Sequence, residues 1–162
     1  MNKYLRDICP FAKALVILLL LSSSSLFAQR QDQVHHMAHT VMPFDISKSV
    51  HIFTMTESGG IQKVIAKEAA DSGQIALIQQ HIRREAQKFQ RGDYSDPATL
   101  HGVDMPGLST LQARASEIKV IYTELPAGAE IAFTTTDLHL LTAIHRWFGA
   151  QLSEHGADAR AE

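Results

Sequence analysis

The sequence predicts a small α+β domain, a four-stranded antiparallel sheet with two helices on one face. Three observations carry this. Short β-branched runs come in pairs around glycine turns, within residues 49–67 and 117–134. Each pair is followed by an apolar stripe at helical spacing. The order is the same in both halves, and two β-β-α units close into one sheet with both helices on a single face.

The chain of 162 residues begins with a segment that reads as a secretory signal peptide, residues 1–28. Lys3, Arg6 and Lys13 give its basic start, Ala14 to Leu21 its apolar centre, and Ser22 to Ser25 its polar end. The apolar run is shorter than the roughly 20 residues a bilayer span requires. Cleavage is expected between Ala28 and Gln29, although Leu26 stands where a smaller residue is commoner; an uncleaved N-terminal anchor is the other reading. Cys9 is the only cysteine and leaves with the leader. The exported part therefore has no disulfide, no thiolate ligand and no cysteine nucleophile. Its expected location is periplasmic or secreted, with no stable membrane span after cleavage.

Removing Lys3, Arg6, Lys13 and Asp7 leaves 12 basic and 16 acidic residues. No basic stripe remains, so nucleic acid is not an expected partner. The chain beyond Ala28 is one domain's worth, long enough for a real core.

Residues 29–48 read as a polar arm without steady periodicity. Residues 49–56 are β-branched and aromatic and read as a strand. Glu57-Ser58-Gly59-Gly60 is the turn, with glycine supplying positive φ. Residues 61–67 are the return strand, whose inward set is ambiguous because Ile61, Lys63 and Ile65 share a face. Asp71 and Gln74 resemble a capping box, and Ile75, Ile78, Ile82, Ala86 and Phe89 then form a helical stripe that stops near Gly92. Residues 93–116 are a long connection with a short helix expected at 109–115; such connections are often functional. Residues 117–123 and 130–134 are strands around Pro126-Ala127-Gly128. Asp137 caps a helix carrying Leu138, Leu141, His145, Phe148 and Leu152. The α+β domain thus spans 49–156, and residues 157–162 read as a frayed tail. An offset of 64 positions places His81 on His145 and Gly92 on Gly156, the mark of a duplicated unit, although the apolar stripes do not superpose at that offset.

The densest group of metal-ligating side chains is His35-His36-Met37-Ala38-His39-Thr40-Val41-Met42. Imidazole suits copper, zinc and nickel, and thioether sulfur favours Cu(I). A helix would put His35 and His39 on one face; an extended segment would align His35, Met37 and His39. Pro43 opposes a helix beyond Met42. The alternative is an arm whose histidines cluster without function. Closed structural zinc sites usually include cysteine, which favours copper over zinc.

His81 and His145 sit mid-helix, where they can meet with Glu85 at a metal or proton-transfer site; His145 also falls in the apolar stripe, where a lone histidine is usually core. His101, Asp104 and Met105 lie together in the long connection, either as part of a site or as a loop whose Met105 plugs the core. His139 and His155 flank the last helix and are expected on the surface. Asp137 and His145 are placed for acid-base work, but no nucleophile stands beside them. No nucleophile elbow, phosphate loop, dinucleotide fingerprint, His-Glu-x-x-His or Cys-x-x-Cys-His occurs. Covalent c-type haem is therefore excluded, while non-covalent haem with His or Met ligands stays open.

Three strings carry a resemblance: residues 36–44 (HMAHTVMPF), residues 92–97 (GDYSDP) and residues 145–152 (HRWFGAQL). With them the chain resembles a family of small, uncharacterised exported bacterial proteins, and the likeness covers most of the exported part. It implies no particular activity. Members sometimes carry the name aspartate carbamoyltransferase; this chain lacks the Ser-Thr-Arg-Thr type of carbamoyl-phosphate loop and is too short for that two-domain enzyme.

The functional expectation is a periplasmic metal-binding protein, copper favoured. Its candidate ligands are His36, His39 and Met42, then His35 and Met37, with His81, His101 and His145 behind them. The alternative is a metal-free interaction or ligand-binding module with a periplasmic protein partner. An enzyme is the least favoured reading.

Overall fold

The computed structural model describes residue 29 and residues 31–162. The leader, with Cys9 and Ala28, lies outside the described residues. The first described element is a helix, α1 (residues 31–41), where an arm without periodicity was expected. Its stripe is built from small and medium side chains: Val34, Ala38 and Met42 recur at i, i+4 and i+8, and all three are buried. Pro43, which has no N–H to donate, comes directly after the last turn.

Strands β1 (Ser49–Thr56) and β2 (Gly59–Ala66) form a hairpin. The turn itself is Glu57-Ser58, so the glycines serve a different purpose from the one expected. A Cβ on Gly59 would stand 1.9 Å from the Phe133 carbonyl oxygen, and one on Gly60 would stand 2.5 Å from the Phe148 ring. The missing side chains let the neighbouring strand and the last helix approach.

Helix α2 (Ser72–Gln90) starts where Asp71 accepts a hydrogen bond from the Gln74 N–H. Gln74 does not close a capping box. Its amide instead donates to the Asp45 carbonyl at 2.6 Å and accepts from the Asp45 N–H at 3.2 Å, tying the segment after α1 to α2. The long connection contains α3 (Ser95–His101) and α4 (Leu108–Ala113). A second hairpin, β3 (Lys119–Leu125) and β4 (Gly128–Thr134), leads into α5 (Leu138–His155) and then β5 (Ala159–Ala161).

The sheet has five strands in the order β3-β4-β2-β1-β5, so the expected four-stranded antiparallel sheet is corrected. The two hairpins join through antiparallel β2 and β4, with Gln62 opposite Ile131. The fifth strand is parallel to β1, His51 opposite Ala159, and it comes from the tail that read as frayed. Three residues without an apolar pattern give no strand signal; their order comes from pairing with an otherwise open edge.

Helix α2 lies on β2, β3 and β4, and α5 lies on β1, β2 and β5. Phe53, Phe89, Tyr94, Phe133, Trp147 and Phe148 form the aromatic centre between them. The buried side of α5 is Leu140, Ile144, Trp147, Phe148, Gln151 and His155, rotated from the expected stripe, and Leu138 is 75 % exposed. Trp147 explains the rotation: it carries the largest apolar surface on the helix, and its burial decides which face turns inward.

Candidate functional site

A cavity of about 40 Å³, room for an ion or a few waters, opens inside the core beside the aromatic centre. Each layer of the fold contributes to it. Met42 comes from the end of α1, His51 from β1 and Gln62 from β2. His81 and Glu85, one turn apart, come from α2; Asp96 and His101 come from α3; Trp147 and Gln151 come from α5. Strand alternation turns His51 and Gln62 inward with Phe53 and Val64.

The polar groups around this cavity are poorly satisfied. His51 Nδ1, Gln62 Oε1, Glu85 Oε1 and Gln151 Nε2 are buried without a hydrogen-bond partner, as are the nearby Tyr94 hydroxyl and Trp147 indole nitrogen. Each such atom costs about 1–3 kcal/mol unless a ligand or water satisfies it. A core that packs this well elsewhere does not gather them for stability.

Burial sets the protonation states. It lowers His51 to about 4, with the His81 charge as the next cause, and lowers His81 to about 4, with Arg84 next. Burial, followed by a hydrogen bond with Asp96, raises Glu85 to about 8. At neutral pH the cavity therefore holds uncharged His51 and His81 beside a Glu85 that is largely protonated. Lys88 reaches Asp96 at 2.6 Å and lies 3.5 Å from Glu85 Oε1, keeping the pair anchored from the surface.

The partners decide the tautomers. The His51 ring donates to the Asp158 backbone and leaves Nδ1 unpaired, so Nδ1 carries the lone pair. His101 Nδ1 lies 2.8 Å from Glu154 Oε2 and donates to it, which leaves the lone pair on Nε2. A histidine whose second nitrogen donates to a carboxylate or carbonyl is in the form that ligates metals. His81 differs: its Nδ1 accepts from Arg84 Nη2 at 3.1 Å, so that lone pair is occupied. Among the described residues no three His, Asp or Glu side chains stand close enough together to hold a metal ion. Binding one here requires side-chain rotation, including release of Arg84 if His81 takes part.

The expected ligands divide into four groups. Met42, His81 and His101 line the cavity. His36 and His39 lie exposed on the outer side of α1 with ring centres 5.9 Å apart. His35 pairs with Asp158 at 3.0 Å, and Met37 packs against the core, so neither faces the cavity. His145 is turned away from it: Nε2 sits 2.8 Å from the Gly59 carbonyl and 3.1 Å from that of Thr56, which separates it from His81. The eight histidines and methionines thus do not make one centre. Asp104 is exposed, while Met105 is buried as a core plug.

Three contributors carried no signal of this kind in the sequence. His51 reads as a strand residue, and Gln62 and Gln151 as ordinary polar positions. His155, expected on the surface, is 1 % exposed and stacks on His51 at 4.6 Å between ring centres. The last turn of α5 lies over β1, and β5 pairs directly with it, which seals the ring in. Among the described residues no helix is long and apolar enough to cross a membrane. Comparison with family models, with curated proteins and with solved structures gives no match.

Proposed function

We propose that this protein is an exported, periplasmic metal-binding protein and that its ion, copper as Cu(I), is held in the buried cavity rather than on the arm. One observation carries the reading: Met42, His51, His81 and His101, from four different elements, line a single small cavity. A thioether with neutral imidazoles is a soft, cysteine-free donor set of the kind Cu(I) selects. His51 and His101 are already in ligating tautomers. Storage, delivery or protection are the roles such a site serves; zinc and non-covalent haem fit less well, since the cavity is far too small for a porphyrin.

The test is a Cu(I) and Zn(II) titration of the purified protein against a chelator of known affinity. A His51→Ala/His101→Ala double variant should lose tight one-to-one Cu(I) binding, and a His36→Ala/His39→Ala double variant should keep it. The opposite pattern moves the site to the surface of α1. Binding no tighter than that of a generic His-rich peptide retires the metal reading.

The second reading is a metal-free interaction module. It is favoured by the sheet face opposite the helices, where Ile121, Ala132 and Ile61 form one cross-strand row and Ile121 is 41 % exposed. We also read the two hairpin-helix runs as copies of one β-β-α unit, with His81 and His145 as equivalent positions that have diverged.

A further inference from the structure

Two hollows meet at the end of α3. The inner one is the cavity lined by Met42, His51 and His81. The outer one is a surface groove of about 250 Å³ whose walls include Gln33, Val34, Thr99, Gly102 and Glu154. Leu100 and His101 line both. These two consecutive side chains are therefore the partition between solvent and the cavity.

The partition is shut in this structure, with the His101 side chain only 1 % exposed. On the groove side, His101 is held by Glu154 at 2.8 Å. It also packs edge-on against His155 at 5.0 Å, and His155 in turn stacks on His51 of the inner cavity. The partition ends at Gly102, which has φ 97° and open space where a Cβ would stand. Nothing packs against that point to hold the end of α3 closed.

We propose that the outer groove captures a cation from solvent and that the Leu100–His101 partition is the door through which it reaches the inner cavity. This rests on the metal reading of the cavity. Glu154 and His101 give a borderline oxygen and nitrogen pair at the mouth, suited to a first, weak contact. Rotation of the His101 ring carries the ion inward, where it exchanges the Glu154 oxygen for the nitrogen of His51 and the sulfur of Met42. For a soft ion the inner donors are the better ones, which sets the direction of transfer.

Trp147 is the only tryptophan and lines the inner cavity, so its fluorescence reports arrival there. Stopped-flow mixing of the purified protein with Cu(I) reads the rates. Leu100→Ala widens the door and should raise the rates of binding and release together, by roughly tenfold, as a change of barrier rather than of affinity. Glu154→Gln removes the capturing charge and should slow binding by roughly tenfold. Leu108→Ala, a buried truncation on α4 lining neither hollow, controls for general loosening; Leu100→Val repeats the first test with less disturbance of the core. Acrylamide supplies an arm without metal, and should quench Trp147 faster in Leu100→Ala than in the parent or in Leu108→Ala. Equal acceleration in Leu108→Ala, or no response of either probe to Leu100, overturns the door. If acrylamide follows the door while Cu(I) binds in none of the proteins, the door stands and the metal reading fails.

Discussion

At the residue scale, His81 and Arg84 decide how the cavity can work. Arg84 donates to His81 Nδ1 and so occupies the lone pair that a metal would need. Replacing it by methionine keeps the stem of an exposed helical residue and removes the donor. If His81 is a ligand, Arg84→Met should tighten Cu(I) binding roughly tenfold, the size of one hydrogen bond from a charged donor. An unchanged affinity would take His81 out of the ligand set. Met42 offers a second check. Met42→Leu nearly conserves volume and should cost less than about 1.5 kcal/mol of stability. It should weaken Cu(I) binding and leave Zn(II) binding as it was, because only Cu(I) gains from the thioether; parallel competition titrations read both. Residue type alone made Met42, His81 and His101 legible as candidate ligands. It could not separate them from His35, His36, His39, Met37 and His145, which have the same chemistry, because what distinguishes them is the direction each side chain takes after packing.

The same boundary between legible and hidden runs through the elements. The strands of both hairpins, α2 and the Asp71 and Asp137 caps arise from local pattern: β-branched runs, an apolar stripe at helical spacing, and an acceptor before the first turn. Helix α1 and strand β5 do not. The stripe of α1 is made of Val, Ala and Met among polar residues, and β5 is too short for any period. Both are fixed by what they dock against, α1 by the core and by the Gln74 clamp on Asp45. Two substitutions separate cap from clamp. Asp71→Ala removes the α2 cap and should lower global stability by about 1 kcal/mol in urea unfolding. Gln74→Ala should instead release the segment just after α1, raising amide hydrogen exchange across residues 42–48 while α2 stays protected. Equal loosening of α2 and this segment by both variants would mean that the arm and α2 open as one unit.

Across the whole molecule, the burial of titratable groups in one core makes stability depend on pH in two opposed ways. His51, His81 and His155 are all held below the ordinary histidine range, burial being the largest cause for each. Below about pH 6.5 the unfolded chain takes up protons at these positions that the folded chain refuses, so stability falls on acidification toward the folded value of about 4 for His51 and His81. Glu85 acts in the other sense. Its folded value of about 8 lies above the ordinary 4.5, so the folded state holds a proton that the unfolded state releases, and stability falls as pH rises between those values. From about pH 4.5 to 6.5 both act, and three histidines outweigh one carboxyl; above pH 6.5 only Glu85 remains. The charges facing them, Arg84 and Lys88 on α2, Asp96 on α3 and Asp158 after α5, already contribute to these shifts. The midpoint of urea unfolding should therefore pass through a maximum near pH 6.5, with the steeper fall on the acid side. Glu85→Gln should remove the fall between pH 6.5 and 8 and leave the acid side intact. A parent protein with a flat profile through this range would mean that water enters the core freely enough to leave these groups at their ordinary values.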